Sequence, residues 1–295
     1  MRVNPNITPD LLASLALTQQ EAQTALGQIS SGRRVQVPSD DPAAAAVLII
    51  NHSQTAQATQ FQQTISNVSA RLQVADSTLG SVTTVVERAL SLGIEAANGT
   101  LSDSNRASIA EELRGLQQQL ISLANTSFQG TYLFAGTKSL APPFVADGTQ
   151  LSGVRYDGNI NTNAVQIGDS FQLQTNLPGS QLFQAAGGDV FQSIQTLITA
   201  VSTNTAIDTA VTGTRVAFDA LSSQRVFYGN ALQQLQAQQT FLGTEKVQLH
   251  QQENTIGGAD LAAAVTQLTN AQTARNTTLQ AVGTITKVSL FDFLR

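Results

Sequence analysis

The chain has 295 residues, only 12% of them charged, with a formal net charge of −5. So sparse and acidic a balance excludes nucleic acid as a natural partner. The absence of cysteine removes disulfide and thiolate chemistry, and no run approaches the roughly 18 apolar residues that a membrane span needs.

Ala, Gln, Ser, Thr and Leu dominate, a composition suited to long helices packed through small residues. The start, MRVNPNITPDLLASLALTQQ, lacks a continuous apolar core and does not read as a cleaved secretory signal. The first helix is predicted from Thr8, with Pro9 at its first position and Asp10 in the first turn. Its apolar seam runs Leu12, Leu15, Ala22, Leu26, Ile29, with Gln19 filling one place. Gly32 ends it, in the left-handed position glycine takes after a helix.

The loop that follows, SSGRRVQVPSDD, gathers Arg33, Arg34, Asp40 and Asp41 in a chain otherwise poor in charge. Two adjacent aspartates rarely converge on one atom, so an acid–base pair is the weaker reading. An aspartate before Pro42 is a helix cap followed by a first-turn proline. Arg33 and Arg34, flanked by acids, suit a salt-bridged loop or subunit contact better than a phosphate-binding patch.

The second helix carries the longest periodic pattern. Phe61, Ile65, Val68, Leu72, Ala75, Leu79, Val82, Val86, Ala89, Gly93 and Ala96 alternate steps of four and three, the signature of a coiled coil. Asn98-Gly99 ends it, and Ser102 caps a third helix with the seam Ile109, Leu113, Leu116, Leu120, Leu123.

Residues 135–187 change character, with Pro142, Pro143 and Pro178, frequent glycine and short alternating runs. GVRYDGN reads as a strand entering a turn, and AVQIGDSFQLQT as two strands around Gly168-Asp169. Helix resumes at Asp189. Phe218, Leu221, Tyr228, Leu232, Leu235, Leu242, Leu249 and Ile256 keep the helical rhythm, with Arg225, Gln239, Lys246 and Glu253 as polar seam positions that fix register. After Gly257-Gly258 a last helix carries Leu261, Val265, Leu268, Leu279 and Val282, then Leu290, Phe291, Phe293 and Leu294.

The expected fold is mainly α, an elongated antiparallel coiled-coil or helical-bundle rod formed by N- and C-terminal segments, with a small inserted β-domain. The expected division is 1–40 with 257–295 as a terminal coiled-coil layer, 41–134 with 188–256 as a helical rod, and 135–187 as an outward β-rich insert. No phosphate-binding glycine loop, nucleophile elbow or zinc-binding helix motif occurs, and His52 and His250 alone offer nitrogen ligands. The sequence predicts no enzyme, cofactor or metal.

With these residues in place, the chain resembles the flagellin superfamily. SSGRRVQVPSDDPAAAA matches that family's N-terminal signature. NTSFQGTYLFAGTKSLAPPF, the segment YDGNINTNAVQIGDSFQLQTNLPGSQLF and the terminal SLFDFL resemble its hook–filament junction branch more than the filament subunits. The resemblance implies an extracellular structural subunit of the bacterial flagellum, exported through the flagellar type III apparatus with a cytoplasmic chaperone. It implies assembly with further copies of itself, with hook-associated protein 1 and with flagellin. It also implies that subunit contact falls on the terminal helices and their loop: Leu12, Leu15, Leu26, Ile29, Arg33, Arg34, Asp40, Asp41, Leu261, Val265, Leu268, Leu279, Val282, Leu290, Phe291, Phe293 and Leu294. The alternatives are a flagellin-type filament subunit and, in another class, a helical signalling module. The latter needs membrane spans that the sequence does not carry.

Overall fold

The computed structural model describes residues 7–185 and 187–293, with side chains over 9–185 and 187–283. Three helices open the chain: α1 (Ile7–Ser31), α2 (Pro42–Ala96) and α3 (Asp103–Ala124). Four short hairpins and one helical turn follow: β1 (Ser127–Phe128) with β2 (Thr131–Tyr132), β3 (Phe144–Ala146) with β4 (Val154–Tyr156), β5 (Ala164–Gln166) with β6 (Gln172–Gln174), α4 (Gly179–Phe183), and β7 (Gln184–Ala185) with β8 (Gly188–Asp189). Helices α5 (Val190–Thr203), α6 (Ile207–Gly257) and α7 (Leu261–Phe293) complete it. All four strand pairs are antiparallel.

The helix ends fall where short polar side chains can satisfy orphan backbone donors. Asp41 accepts from the Ala44 N–H at 3.0 Å, Ser102 from the Asn105 N–H at 3.3 Å, and Asp189 from the Gln192 N–H at 2.9 Å. Gly32 ends α1 at φ +67° while its N–H closes on the Gln28 carbonyl. The sequence pattern did not show the break between α5 and α6. There Asn204 takes the left-handed conformation (φ 52°) and Ala206 follows at φ 53°, in a Ser-Thr-Asn-Thr run whose polarity favours a turn.

The chain forms two compact units, one from residues up to Gln57 together with those from Thr244 on, the other Ala58–Gly243. In the second, the long α2 seam is buried as its spacing requires: Ile65, Leu72, Leu79, Val82, Val86 and Ala89 are closed to solvent. It meets α6 antiparallel, with Asp76 against Arg225 and Gly93 against Val211. The polar seam residue Arg225 holds both Asp76 oxygens, at 2.7 and 3.1 Å.

The β-rich residues have no core of their own. Phe134, Phe144, Phe183 and Phe191 form one aromatic cluster, with centroids 5.1–5.8 Å apart between neighbours, continuous with the helical core. Asn125, after α3, bonds both the N–H and the carbonyl of Phe144, as a paired strand would. Gly179 sits where an added Cβ would lie 2.7 Å from the Phe134 oxygen and the Phe144 ring, so this approach needs glycine.

Candidate assembly surface

In the first unit, the charged loop is a clasp between helix ends distant in sequence. The Arg34 N–H donates to the Gly257 carbonyl at 2.7 Å, and the Ala259 N–H to the Gly32 carbonyl at 2.9 Å. The Arg34 guanidinium donates to Asp41 Oδ2 from both terminal nitrogens at 3.1 Å, and to the Ile256 carbonyl at 2.9 Å. Arg33 reaches Glu253 Oε1 at 3.3 Å, and the same carboxylate meets His52 at 3.2 Å and His250 at 3.5 Å. Beneath the loop, Val35, Ala44 and Ala45 form a small core with Leu48 and Ile256.

Asp40 does not cap a helix. It accepts from the N–H groups of Gln36 (2.9 Å) and Val37 (3.0 Å), closing the loop on itself, and these bonds hold its carboxyl below the usual carboxylate range. The Asp41 carboxyl is lowered too, first by the Ala44 N–H and then by Arg34. The predicted cap is therefore Asp41 alone. Among the described residues no group of three or more His, Cys, Asp or Glu side chains is arranged to hold a metal ion.

The clasp sets α1 against α7. Their joined ends, Gly32 beside Ala259, make the pair antiparallel. The buried contact is made by alanine: Ala25, Ala264 and Ala271 are closed to solvent, with Leu15, Ala22, Ile29, Leu268 and Val282 partly covered. The other large aliphatics of the expected seam stay open: Leu12 is 63% exposed, Leu26 57%, Leu261 51%, Val265 50% and Leu279 46%. Each helix thus carries two adjacent stripes, one of closed alanines and partly covered aliphatics turned to its partner, and one of large aliphatics turned to solvent. Periodicity detects both but ranks them by size. The signal for the inner one was the seven-residue spacing of Ala264 and Ala271.

Of the remaining candidates, Arg33, Arg34 and Asp40 are exposed and Asp41 is half-buried, all four within the clasp. The side chains of Leu290, Phe291 and Phe293, and all of Leu294, lie outside the described residues. Glu253, His52 and the Gly257-Gly258 turn complete the clasp without having been singled out as part of it. Glu253 and the turn lie more than two hundred residues from the loop, a link that no local pattern reveals. Among the described residues no helix is long and apolar enough to cross a membrane.

The terminal helix pair is thus clasped at one end and leaves large aliphatic side chains open on both helices. Residues 5–139 match the bacterial flagellin N-terminal helical region, and residues 205–294 the bacterial flagellin C-terminal helical region. The chain belongs to the flagellin family. Within that family it is similar to the flagellar hook-associated protein 3 of Salmonella typhimurium, 36% identical over 159 residues, 54% of this chain and 49% of that one. The chain thus spans about half the length of the curated relatives it matches first. Its fold is that of the Bacillus cereus FlgL crystal structure (TM-score 0.61, 22% identity, 70% of this chain and 99% of that one). The flagellar junction protein FlgL from Legionella pneumophila shares it (TM-score 0.54, 15% identity, 61% and 95%).

Proposed function

We propose that this chain is a structural, non-catalytic subunit of the bacterial flagellum that forms the junction between hook and filament. The observation that carries the reading is the row of large aliphatics left exposed on α1 and α7. Such a row on a helix pair already held by its own inner stripe marks an interaction site rather than a folding defect. The Salmonella typhimurium relative, named a flagellar hook-associated protein, supports placing that site at the junction.

In this reading residues 1–40 and 257–295 form the terminal assembly domain, 41–134 and 188–256 the helical rod domain, and 135–187 the β-rich insert. Further copies of the chain lie beside it, with hook-associated protein 1 on the hook side and flagellin on the filament side. A cytoplasmic chaperone keeps the terminal helices apart until export through the type III apparatus, and the working location is extracellular. Burying each exposed leucine or valine between subunits stabilises the assembly by roughly 1.5–3 kcal/mol at full burial. The test is negative-stain microscopy of cells lacking the gene. Hooks without filaments, with flagellin shed into the medium, are expected; normal filaments on those cells would overturn the reading.

A further inference from the structure

Asn98 is the only asparagine of the chain followed by glycine, and Asn98, Gly99 and Thr100 lie exposed between α2 and α3. The Thr100 N–H and hydroxyl both donate to Asn98 Oδ1, at 3.2 and 3.0 Å. A backbone N–H can only donate, so the atom facing it is the amide oxygen, and Nδ2 is turned the other way. Among the described residues nothing bonds Nδ2 or the Gly99 N–H, and a Cβ added at Gly99 would meet nothing within 4 Å.

These features favour one reaction. The Gly99 nitrogen and Asn98 Cγ are already linked through the Asn98 backbone, so rotation alone brings them together, and glycine has no side chain to obstruct the approach. Both Thr100 donors lie on the oxygen that gains negative charge as the carbonyl is attacked, the arrangement of an oxyanion hole. The Gly99 nitrogen gives its proton to hydroxide and bonds to Cγ. The Cγ–Nδ2 bond then breaks, and ammonia leaves into solvent with a proton taken from water. Water opens the resulting cyclic imide at either carbonyl, giving aspartate or, with the main chain rerouted through Cγ, isoaspartate. Water is consumed and ammonia released mole for mole. Asn105 nearby offers no such path, because the nitrogen after it belongs to Arg106 and donates to the Ser102 carbonyl at 3.0 Å.

We propose that Asn98 is a site of spontaneous deamidation, activated by Thr100, that marks the age of the subunit. Both products set a carboxylate just beyond the C-terminal end of α2, where the helix dipole disfavours negative charge. Isoaspartate also adds a methylene group to the connection with α3. The site does not depend on the junction role.

The test is peptide mass spectrometry of the folded full chain after incubation at mildly alkaline pH. Cleavage after Arg88 and Arg106 releases residues 89–106 as one peptide holding both Asn98 and Asn105, so fragment ions compare the two directly. Asn98 should convert to aspartate and isoaspartate, faster as pH rises, while Asn105 stays intact. Gly99→Ala, which the open space accommodates, should lose most of the conversion, and Thr100→Val should slow it severalfold, both with unchanged circular dichroism. An Asn98 that stays intact, that converts no faster than Asn105, or whose rate is unchanged in either variant would overturn the proposal.

Discussion

Replacing Leu12 and Leu26 together with alanine tests whether the outer stripe serves assembly rather than folding. The two are 63% and 57% exposed in the subunit, so most of their burial remains to be gained between subunits. At 1.5–3 kcal/mol for a fully buried leucine, that reserve is about 1.8–3.6 kcal/mol for the pair. The effects should add, since 14 positions of helix place the residues roughly 21 Å apart. The assembly constant should fall about 20- to 400-fold, read as the concentration giving half-maximal incorporation onto isolated hooks. Alanine is the better helix former, and part of the existing cover comes from each leucine's own helical turn. The urea midpoint of the subunit should therefore move little. Ala25→Leu is the mirror experiment: this side chain is closed to solvent, and overfilling the α1–α7 contact should destabilise the subunit by about 1–3 kcal/mol. The reasoning is refuted if the leucine pair weakens the subunit as much as Ala25→Leu does, or leaves incorporation unchanged.

Arg34→Ala removes the fork to Asp41 and the bond to the Ile256 carbonyl, and should cost on the order of 1 kcal/mol at this exposed site. Arg34→Lys should restore little of it, because one ammonium cannot reproduce the planar fork; full rescue by lysine in a urea melt would contradict this geometry. The lowered pKa values of Asp40 and Asp41 mean that their ionised forms stabilise the clasp fully above about pH 4, and that this is lost as pH falls through those depressed values. Amide exchange at Val37 and Ala44 should accelerate over that acid range, and an unchanged rate would show that the carboxylates do not hold the loop. Gly179→Ala should destabilise Ala58–Gly243 by about 1–3 kcal/mol through its clash with Phe134 and Phe144. By contrast Gly115→Ala, which meets nothing within 4 Å in α3, should stabilise by about 0.5–1 kcal/mol. Thermal melts that rank the two variants in the opposite order would count against the packing described.

Local physics wrote much of this fold into the sequence. The unbroken three-and-four alternation from Phe61 to Ala96 determines a long helix with one buried face, because only that period keeps its apolar atoms together. Asp41, Ser102 and Asp189 announce helix starts, since an oxygen there meets backbone donors that nothing else satisfies. The charged loop after Gly32 was legible as a special segment, but its partners Gly257, Ile256 and Glu253 were not, because loop closure across the chain leaves no mark on neighbouring residues. The aromatic cluster makes the same point: 135–187 reads as an insertion, yet Phe144 and Phe183 lie in the core shared with α5 and α6. The choice between stripes on α1 and α7 was also tertiary. Hydrophobicity alone puts Leu12, Leu26, Leu261 and Val265 inside, whereas the closed contact is made by Ala25, Ala264 and Ala271. Which stripe a helix buries depends on what it packs against: small side chains let two helices approach closely, and the large ones beside that line of contact, Leu12, Leu26, Leu261 and Val265, are then left for another surface to cover.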